Sequence, residues 1–361
     1  MPRVTVVMAV YNAAQFLREA IASVLSQTYT DFELIVVDDA STDDSSAILR
    51  SYNDPRIRII RHPTNLGASL SRNDALAAAR GQLIAIMDAD DVCAPTRIER
   101  QVEFLEAHPA VGFVGCGIYD NIDASGAVLY TSFLPETNEA IQRALMHRWC
   151  FLHSSIMFRK VLQQAVGGYR TAFEPAEDHD FVLRIAERSH AHNLCEPLVT
   201  YRLNHNGLTV VGHQYVEQLR GILIELARRR RSGQPENLGE EMPQVLALKQ
   251  KRLPPRGFAG ALQGWRDSFY AANRYYGFGC RELCAGQLQR ARRCFVQSLR
   301  TNGMFVKSWI GFALSFMPFV ARHARFLFRS SMQQLNDHGW SPLVGNESSP
   351  LTPVAHSTAA H

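Results

Sequence analysis

An apolar stretch at residues 82–87 is followed directly by three aspartates, Asp88, Asp90 and Asp91. Such a stretch is typical of a buried strand. Carboxylates crowded at a strand end repel one another and are costly to desolvate, so something must compensate their charge. Mg²⁺ or Mn²⁺, which prefer hard oxygen ligands, would do so. The alternative is that the aspartates cap the helix predicted at 95–107, whose N-terminus favours negative charge.

Two further strands end in polar residues. Residues 4–10 form a β-branched run that ends at Tyr11, and residues 34–37 form another that ends at Asp38 and Asp39. Helical patterns alternate with these runs, which predicts an α/β fold with a doubly wound parallel sheet. Ligands of such sheets bind outside the carboxyl ends of the strands. The polar residues are therefore expected to converge on one rim of the sheet. A metal ion bound there would suit binding of a diphosphate, so nucleotide-sugar chemistry is the first hypothesis.

Several motifs, in this order, resemble family 2 glycosyltransferases with the GT-A fold. The resemblance covers roughly residues 3–205 and not the last third of the chain. It implies a GT-A catalytic domain at 1–212, Rossmann-like, with a mixed, mostly parallel sheet flanked by helices. The motifs are residues 6–12, 23–28, 33–43 and 65–73, the aspartates at 88–91 with Pro95 and Arg97, and the acidic pair Glu177 and Asp178 with Phe181, Leu183 and Arg184.

The resemblance implies a nucleotide-sugar site. Tyr11 would stack on the base, and Asp39 would accept the N3–H of uracil, while Asp38 would be structural. Arg72 would pair with the diphosphate, because a guanidinium fork suits oxyanions. Asp88 would hold the ribose hydroxyls or a metal-bound water. From the residues alone, Tyr11 could instead mark a strand end, and Arg72 could form a surface ion pair.

The implied cofactor is Mn²⁺ or Mg²⁺, which would stabilise the charge that develops on the departing diphosphate. Asp90 would ligate the metal, and Asp91 would either support it or cap the next helix. His205 is interpreted as a further metal ligand or a diphosphate contact. Similar enzymes carry a Tyr-Arg-x-His element here, and this chain has one extra residue between Arg202 and His205.

The acidic segment at 174–180 precedes a predicted helix at 181–187. By motif position Asp178 is the general base that takes the proton of the acceptor hydroxyl, with Glu177 also catalytic. Asp180 or Glu177 could replace Asp178 in this role, and all three could instead be capping residues. The resemblance implies inversion at the anomeric carbon. His153 resembles a residue lining the acceptor pocket, or is a buried hydrogen-bonded histidine.

Composition bears on location. Seven cysteines occur without a C-x-x-C pair, which favours reduced thiols in a cytosol-like compartment. The chain enters a strand directly at its N-terminus, so no signal peptide is expected. We therefore expect a cytoplasmic protein, or one peripheral on the inner face of the cell membrane.

The rest of the chain is predicted to form a helical extension at 213–331 and a disordered tail at 332–361. Residues 308–321 are uncharged, too short to span a bilayer, and followed by arginines. This pattern predicts association with a membrane surface through residues 308–329, or else packing as an ordinary core helix. A nucleic-acid partner is not expected, since the arginines are not interleaved with aromatics.

Together these features predict an inverting, metal-dependent glycosyltransferase. It would move a sugar from a nucleotide-sugar donor, a UDP-sugar by expectation, to a hydroxyl of a glycan or lipid-linked acceptor in cell-surface polysaccharide synthesis. The alternative is a catalytically silent nucleotide-sugar binding protein on the same fold. The intact pair Glu177 and Asp178 favours the enzyme, because a binding protein needs no base. A nucleotidyltransferase is disfavoured, because no glycine-rich phosphate loop follows the first strand.

Overall fold

The computed structural model describes residues 1–203, 213–236 and 258–316, together with positions 238, 242, 243, 245 and 246. Strands and helices alternate in the first third of the chain, as the apolar runs predict. The strands are β1 (Val4–Val10), β2 (Phe32–Asp38), β3 (Ile57–Arg61), β4 (Leu83–Ile86), β5 (Val92–Cys93), β6 (Val111–Ile122), β7 (Val128–Phe133), β8 (Met157–Arg159) and β9 (His190–Arg202). The helices are α1 (Leu17–Leu25), α2 (Ser45–Arg50), α3 (Ala68–Ala78), α4 (Arg97–Ala107), α5 (Asn138–Leu145), α6 (Lys160–Val166), α7 (Glu177–Ala186), α8 (His213–Arg231), α9 (Phe258–Cys284), α10 (Leu288–Thr301) and α11 (Val306–Leu314).

The described strands form one mixed sheet in the order β3-β2-β1-β4-β8-β6-β9-β5, with β7 paired to β6. The first four strands are parallel, and Val7 of β1 lies opposite Ile35 of β2 and Ile86 of β4. Beyond β4 the sheet continues through antiparallel β8, while β6 and β9 are parallel to each other. The predicted α/β fold with a mixed sheet is confirmed.

Helices cover both faces of the parallel half. On one face Leu17 and Ile21 of α1 pack against β1 and β2, and on the other Leu76 of α3 and Phe181 of α7 do so. Strands that are buried on both faces have continuous apolar sequences. The polar residues of the site therefore lie at the carboxyl ends of these strands, and these ends form the rim described below.

Helix α8 belongs to the same core, to which it contributes Leu219, Leu223 and Leu226. The predicted boundary at 212 and the predicted tail from 332 both lie outside the described residues. The division into domains therefore stays a prediction.

The C-terminal helices dock on the hairpin formed by β6 and β7. The rings of Tyr130 and Phe278 stack with their centroids 3.6 Å apart. Arg281 Nη2 donates to the carbonyl of Thr131 at 2.9 Å, and Cys294 of α10 is buried against the same strand. The predicted helical extension is confirmed.

The segment predicted to associate with a membrane surface is described only in part. Helix α11 covers its beginning, and residues 317–329 lie outside the described residues. Within the described part of the chain, no helix is both long and apolar enough to cross a bilayer. The association stays a prediction.

Candidate active site

The end of β1 presents an exposed aromatic ring. Tyr11 is 51% exposed, and the next residue, Asn12, has a positive φ of 49°. The side chain of Asn12 accepts a hydrogen bond from the backbone N–H of Thr42 at 2.8 Å, while its own N–H donates to Ser41 Oγ at 3.1 Å. These bonds tie the turn after β1 to the turn after β2, so the turn that carries the Tyr11 ring is held at the rim.

The two aspartates after β2 point in different directions. Asp38 is buried and accepts the backbone N–H of Ser41 at 3.0 Å, which is a structural arrangement. Asp39 accepts the backbone N–H groups of Leu66 and Gly67, both at 2.8 Å, and contacts His62 Nδ1 at 2.7 Å.

A cavity of about 400 Å³ opens beside Asp39. It is lined by Ala40, Ser41, Arg61, His62 and Pro63. Asp39 itself is only 3% exposed. Its role in recognising the base stays a prediction.

Arg72 of α3 links two acidic clusters. Its Nη2 donates to Asp88 Oδ1 at 3.1 Å, and its Nη1 donates to Glu177 Oε1 at 2.7 Å. The guanidinium also lies 5.6 Å from the centre of the Tyr169 ring. Although burial alone would lower the pKa of Arg72, Asp88 and Glu177 raise it above its usual value. The structure therefore places a permanent cation between the clusters, and its pairing with a diphosphate stays a prediction.

The first cluster, Asp88, Asp90 and Asp91, is called the Asp88 cluster. Asp91 is fully buried, where Oδ1 accepts the backbone N–H of Arg202 at 2.8 Å and Oδ2 accepts the hydroxyl of Ser154. Burial, together with the charges of Asp90 and Asp88, raises the pKa of Asp91 well above its ordinary value. Negative charge is therefore in excess at the end of β4.

Asp88 is less buried and lies beside cations. Its side chain is 28% exposed. Burial would raise the pKa of Asp88, but Arg72 and His153 together hold it well below the usual range. Asp88 is therefore ionised at neutral pH and faces the rim.

The residues at the end of β4 fit a divalent cation held jointly with a substrate. Asp90 is half-buried, and its carbonyl accepts Arg202 Nε at 2.9 Å. Among the described residues, no group of three His, Cys, Asp or Glu side chains is arranged as a complete metal site. Because Asp91 is fully buried whereas Asp88 and Asp90 are partly exposed, the latter two are the carboxylates that a substrate-bound cation could reach. One or two carboxylates completed by substrate phosphates and waters is the usual arrangement for Mg²⁺.

His205, the other predicted ligand, lies outside the described residues. Its role in metal binding, like that of Asp90, stays a prediction.

The second cluster, Glu177, Asp178 and Asp180, is called the Glu177 cluster. Helix α7 begins at Glu177. The acidic residues that were expected to precede this helix therefore form its first turn. Acidic side chains are favourable there because the helix N-terminus carries partial positive charge. The helix thus begins four residues earlier than the sequence suggested.

Asp180 is committed to two arginines. It is fully buried, and its Oδ2 accepts Arg170 Nε and Arg184 Nε, both at 2.9 Å. Burial would raise the pKa of Asp180, but these arginines lower it below its usual value. With both of its oxygens in ion pairs, Asp180 is poorly placed to accept a substrate proton.

Asp178 combines access with a raised pKa. Its side chain is half-buried and accepts the backbone N–H of His179 at 2.7 Å. Burial raises the pKa of Asp178, and the nearby His153 opposes that shift. Glu177 is buried, with no hydrogen-bond partner for Oε2, and burial raises its pKa to about 7 against the opposing charge of Arg72. Carboxyl groups whose pKa values are raised in this way suit proton transfer near neutral pH.

His153 lies in a short helical turn, His153–Ser155, between the two clusters. Its Nε2 is 3.0 Å from the hydroxyl of Tyr169, and its Nδ1 is 3.9 Å from Asp88 Oδ2. The ring is 7% exposed. The hydrogen-bonded interpretation of His153 matches this geometry, and its place in an acceptor pocket stays a prediction.

Sequence reasoning missed several residues that build the rim. Ser154 and Arg202 hold Asp91, and Glu174 accepts the N–H of Ala68 at 3.3 Å at the N-terminus of α3. Gly67 precedes that helix with a φ of 95°, and a Cβ there would lie 2.9 Å from Glu174 Oε2. Each contact joins segments more than 60 residues apart, so no local spacing signals it.

The mixed sheet flanked by helices is the architecture expected from the sequence. Residues 5–165 match the family model described as glycosyl transferase family 2. The Bacillus subtilis (strain 168) protein EpsE is 37% identical over 209 residues, which cover 56% of this chain and 73% of EpsE. An uncharacterized glycosyltransferase of Methanocaldococcus jannaschii is 33% identical over 210 residues, which cover 56% of this chain and 71% of that protein.

The chain belongs to glycosyltransferase family 2 and is a glycosyltransferase. Solved structures agree on the fold. S. aureus TarS 1–349 in complex with UDP matches with a TM-score of 0.51 at 16% identity, covering 87% of this chain and 90% of that one. The mannosyltransferase PcManGT of Pyrobaculum calidifontis, in complex with GDP-Man and Mn²⁺, matches with a TM-score of 0.52 at 18% identity, covering 94% and 84%.

Proposed function

We propose that this glycosyltransferase is inverting and metal-dependent, and that it transfers a sugar from a UDP-sugar to a hydroxyl of a glycan or lipid-linked acceptor. One observation carries the proposal. An acidic cluster with excess negative charge and a half-buried carboxyl with raised pKa lie on either side of Arg72. The first suits a cation and a diphosphate, and the second suits a general base.

The donor base would bind between Tyr11 and Asp39. An exposed ring offers a stacking face. A carboxylate has about four lone-pair directions, and His62, Leu66 and Gly67 occupy three of those of Asp39. The remaining direction is on Oδ2, which can accept the N3–H of uracil. TarS is also known in complex with UDP-GlcNAc, which supports this choice of nucleotide.

Asp88 and Asp90 would hold Mn²⁺ or Mg²⁺, with His205 as a further ligand. When bound, the ion supplies positive charge to the diphosphate leaving group. Arg72 would add a fixed positive charge beside the same diphosphate, because Asp88 and Glu177 keep its guanidinium in place. PcManGT with Mn²⁺ supports the use of a divalent ion in this fold.

Asp178 would take the proton from the acceptor hydroxyl. The acceptor oxygen attacks the anomeric carbon from the face opposite the diphosphate, and the bond from that carbon to the phosphate oxygen breaks. The diphosphate leaves with the electron pair, and the configuration at the anomeric carbon inverts. Glu177 would keep Arg72 oriented through their 2.7 Å hydrogen bond, and His153 would line the acceptor side.

The acceptor class is proposed from relatives. The succinoglycan biosynthesis protein ExoO of Rhizobium meliloti (strain 1021) is 35% identical over 158 residues, which cover 44% of each chain. The O-antigen biosynthesis protein RfbC of Myxococcus xanthus is 33% identical over 202 residues, which cover 55% of this chain and 16% of RfbC. These names support a role in cell-surface polysaccharide synthesis.

The test is a transfer assay on the full chain with a panel of UDP- and GDP-sugars, Mn²⁺ and simple glycosides as acceptors. We expect UDP release from one UDP-sugar, and a product whose anomeric configuration, read by NMR, is inverted. Retention of configuration would contradict the inverting assignment. Binding of a nucleotide sugar without any turnover would favour the silent binding protein instead.

A further inference from the structure

Helix α11 exposes three large apolar side chains, Val306, Trp309 and Ile310, while Phe312 and Leu314 are partly buried against the core formed by α9 and α10. Its fully buried positions, Ser308 and Gly311, and Ser315 just after the helix are small or polar and lie against α10. Ser308 Oγ lies 2.6 Å from Ser298 Oγ of that helix. A helix that serves a protein core shows the reverse pattern, with large apolar residues inside and polar residues outside. Core packing therefore does not explain the exposed apolar residues of α11.

The outer side of α11 carries a cluster of exposed apolar side chains, here called the α11 face. Val306, Trp309 and Ile310 recur at the spacing of one helical face, with Met304 and Phe316 just outside the two ends of the helix. The indole N–H of Trp309 donates to Gly303 O at 3.1 Å. Of the thirteen large hydrophobic residues exposed in the described part of the chain, five lie between 304 and 316. They are Met304 (78% exposed), Val306 (65%), Trp309 (56%), Ile310 (56%) and Phe316 (55%).

The sequence on either side of α11 is strongly basic. Eight of the chain's 38 Lys and Arg residues, and none of its 34 Asp and Glu residues, lie between 283 and 336, so this segment carries +8 and the rest of the chain a net −4. Arg292 reaches the face directly, because its guanidinium lies 4.0 Å from the centre of the Phe316 ring and donates to Ser315 O at 3.0 Å. Lys307 is exposed on α11 itself.

We propose that the α11 face, together with Arg292 and Lys307 beside it, docks the protein on the surface of a membrane that contains anionic lipids. Aromatic and aliphatic side chains would enter the boundary between headgroups and acyl chains, while arginines and lysine contact the lipid phosphates. Tryptophan is enriched at that boundary. Helix α11 spans Val306–Leu314, far below the about 20 residues needed to cross a bilayer, so it lies in the interface.

A second copy of the chain is the less favourable occupant. A two-fold contact through the α11 face would bring two segments of +8 together, and like charges repel. An anionic surface has the complementary charge. The docking surface is independent of the donor site, so its test uses neither donor nor acceptor, and its failure would leave the proposed transfer reaction untouched.

The test is co-flotation of the full chain with vesicles of phosphatidylcholine alone or of phosphatidylcholine with phosphatidylglycerol. We expect binding only to the anionic vesicles and loss of binding in high salt. Val306→Asp should weaken binding about tenfold or more, because it places a carboxylate among the acyl chains. Val161→Asp is the matched control, since Val161 is 63% exposed on α6 in the sheet domain. That variant should bind as the wild type does.

Several results would overturn the proposal. They are absence of binding to anionic vesicles, equal loss of binding in Val306→Asp and Val161→Asp, or a wild-type dimer in solution that Val306→Asp converts to monomer. The thermal midpoint of each variant is measured alongside, and both should match the wild type because both valines are exposed. A lowered midpoint for Val306→Asp would contradict the exposed position of the face.

Discussion

The two acidic clusters at the rim contain the same kind of residue in different electrical surroundings. In the Asp88 cluster, the buried member Asp91 is held by neutral donors, a serine hydroxyl and a backbone N–H. In the Glu177 cluster, the buried member Asp180 is held by two cations, Arg170 and Arg184. The pKa of Asp91 is accordingly raised and that of Asp180 lowered.

The difference teaches what each cluster still requires. Neutral donors satisfy the hydrogen bonds of Asp91 but do not cancel its repulsion with Asp88 and Asp90, so an external cation would stabilise the Asp88 cluster. In the Glu177 cluster, Arg170 and Arg184 neutralise Asp180, and Arg72 is shared between Glu177 and Asp88. This difference supports the proposal that the Asp88 cluster binds metal and diphosphate and that the Glu177 cluster carries out proton transfer.

The largest expected effect is on catalysis. Asp178→Asn should lower kcat about a thousandfold, because general base catalysis contributes on the order of 10²–10⁴. Donor affinity should stay within about threefold, since the substitution leaves the Asp88 cluster intact. Steady-state kinetics and donor titration measure the two effects. The same substitution at the exposed Asp44 is the control, and a fully active Asp178→Asn enzyme would place the base elsewhere.

The next largest effect is on stability and compares the buried aspartates of the two clusters. Asp180→Asn should lower the free energy of unfolding by roughly 3–5 kcal/mol, because it leaves Arg184 buried without its carboxylate. Asp91→Asn should change it by less than about 1 kcal/mol in the presence of a chelator, because the substitution also relieves repulsion. Urea unfolding measures both. If both substitutions lowered the free energy of unfolding by the same amount, the distinction between the clusters would be wrong.

A third effect concerns pH and Glu177. The pKa of Glu177 rises from 4.5 to about 7 in the folded protein, so the folded state holds this proton more tightly than the unfolded state. Its contribution to stability is complete below pH 4.5 and is lost as the pH rises to about 7. The stability difference between wild type and Glu177→Gln should therefore fall by about 3 kcal/mol across that window. A difference that stays constant with pH would disprove the raised pKa.

The smallest effect concerns the metal. Asp90→Ala should weaken donor binding about tenfold in Mn²⁺, because a carboxylate ligand is lost. With a chelator present, wild type and variant should bind the donor equally weakly. Isothermal titration measures both conditions, with Asp44→Ala as the control. An unchanged affinity in Mn²⁺ would refute the role of Asp90 as a ligand.

The parallel half of the fold is predictable from sequence. The runs at 4–10 and 34–37 fall within strands β1 and β2, because strands buried on both faces need nothing but apolar, β-branched residues. Strands β6 and β9 escaped notice. Both strands contain buried polar residues, such as Asn121 and Asn193, and they shift register three times against each other, so neither shows a clean alternation.

The residue types of the candidate site could be predicted from the sequence, but the separate role of each acidic residue could not. Motif position predicted Asp178 as the base and left Asp180 or Glu177 as possible replacements. Only the fold brings Arg170 to Asp180, and it leaves Asp178 half-buried at the rim. Arg184 lies four residues after Asp180 on the same helix, which is the one local signal that could have separated the two.

The orientation of α11 was beyond the sequence for the same reason. An uncharged segment fits a protein core and a lipid interface equally well. Which side of the helix meets α10 depends on long-range packing of Ser308 and Gly311 against Phe295 and Ser298.

The most direct test of the division between the clusters is calorimetric titration of UDP into wild-type and Asp178→Asn protein, each with Mn²⁺ and with a chelator. The account predicts binding that requires the metal and is the same for both proteins, because the Asp88 cluster and its cation bind the diphosphate without help from the base. Binding that survives the chelator, or that is lost in Asp178→Asn, would contradict it.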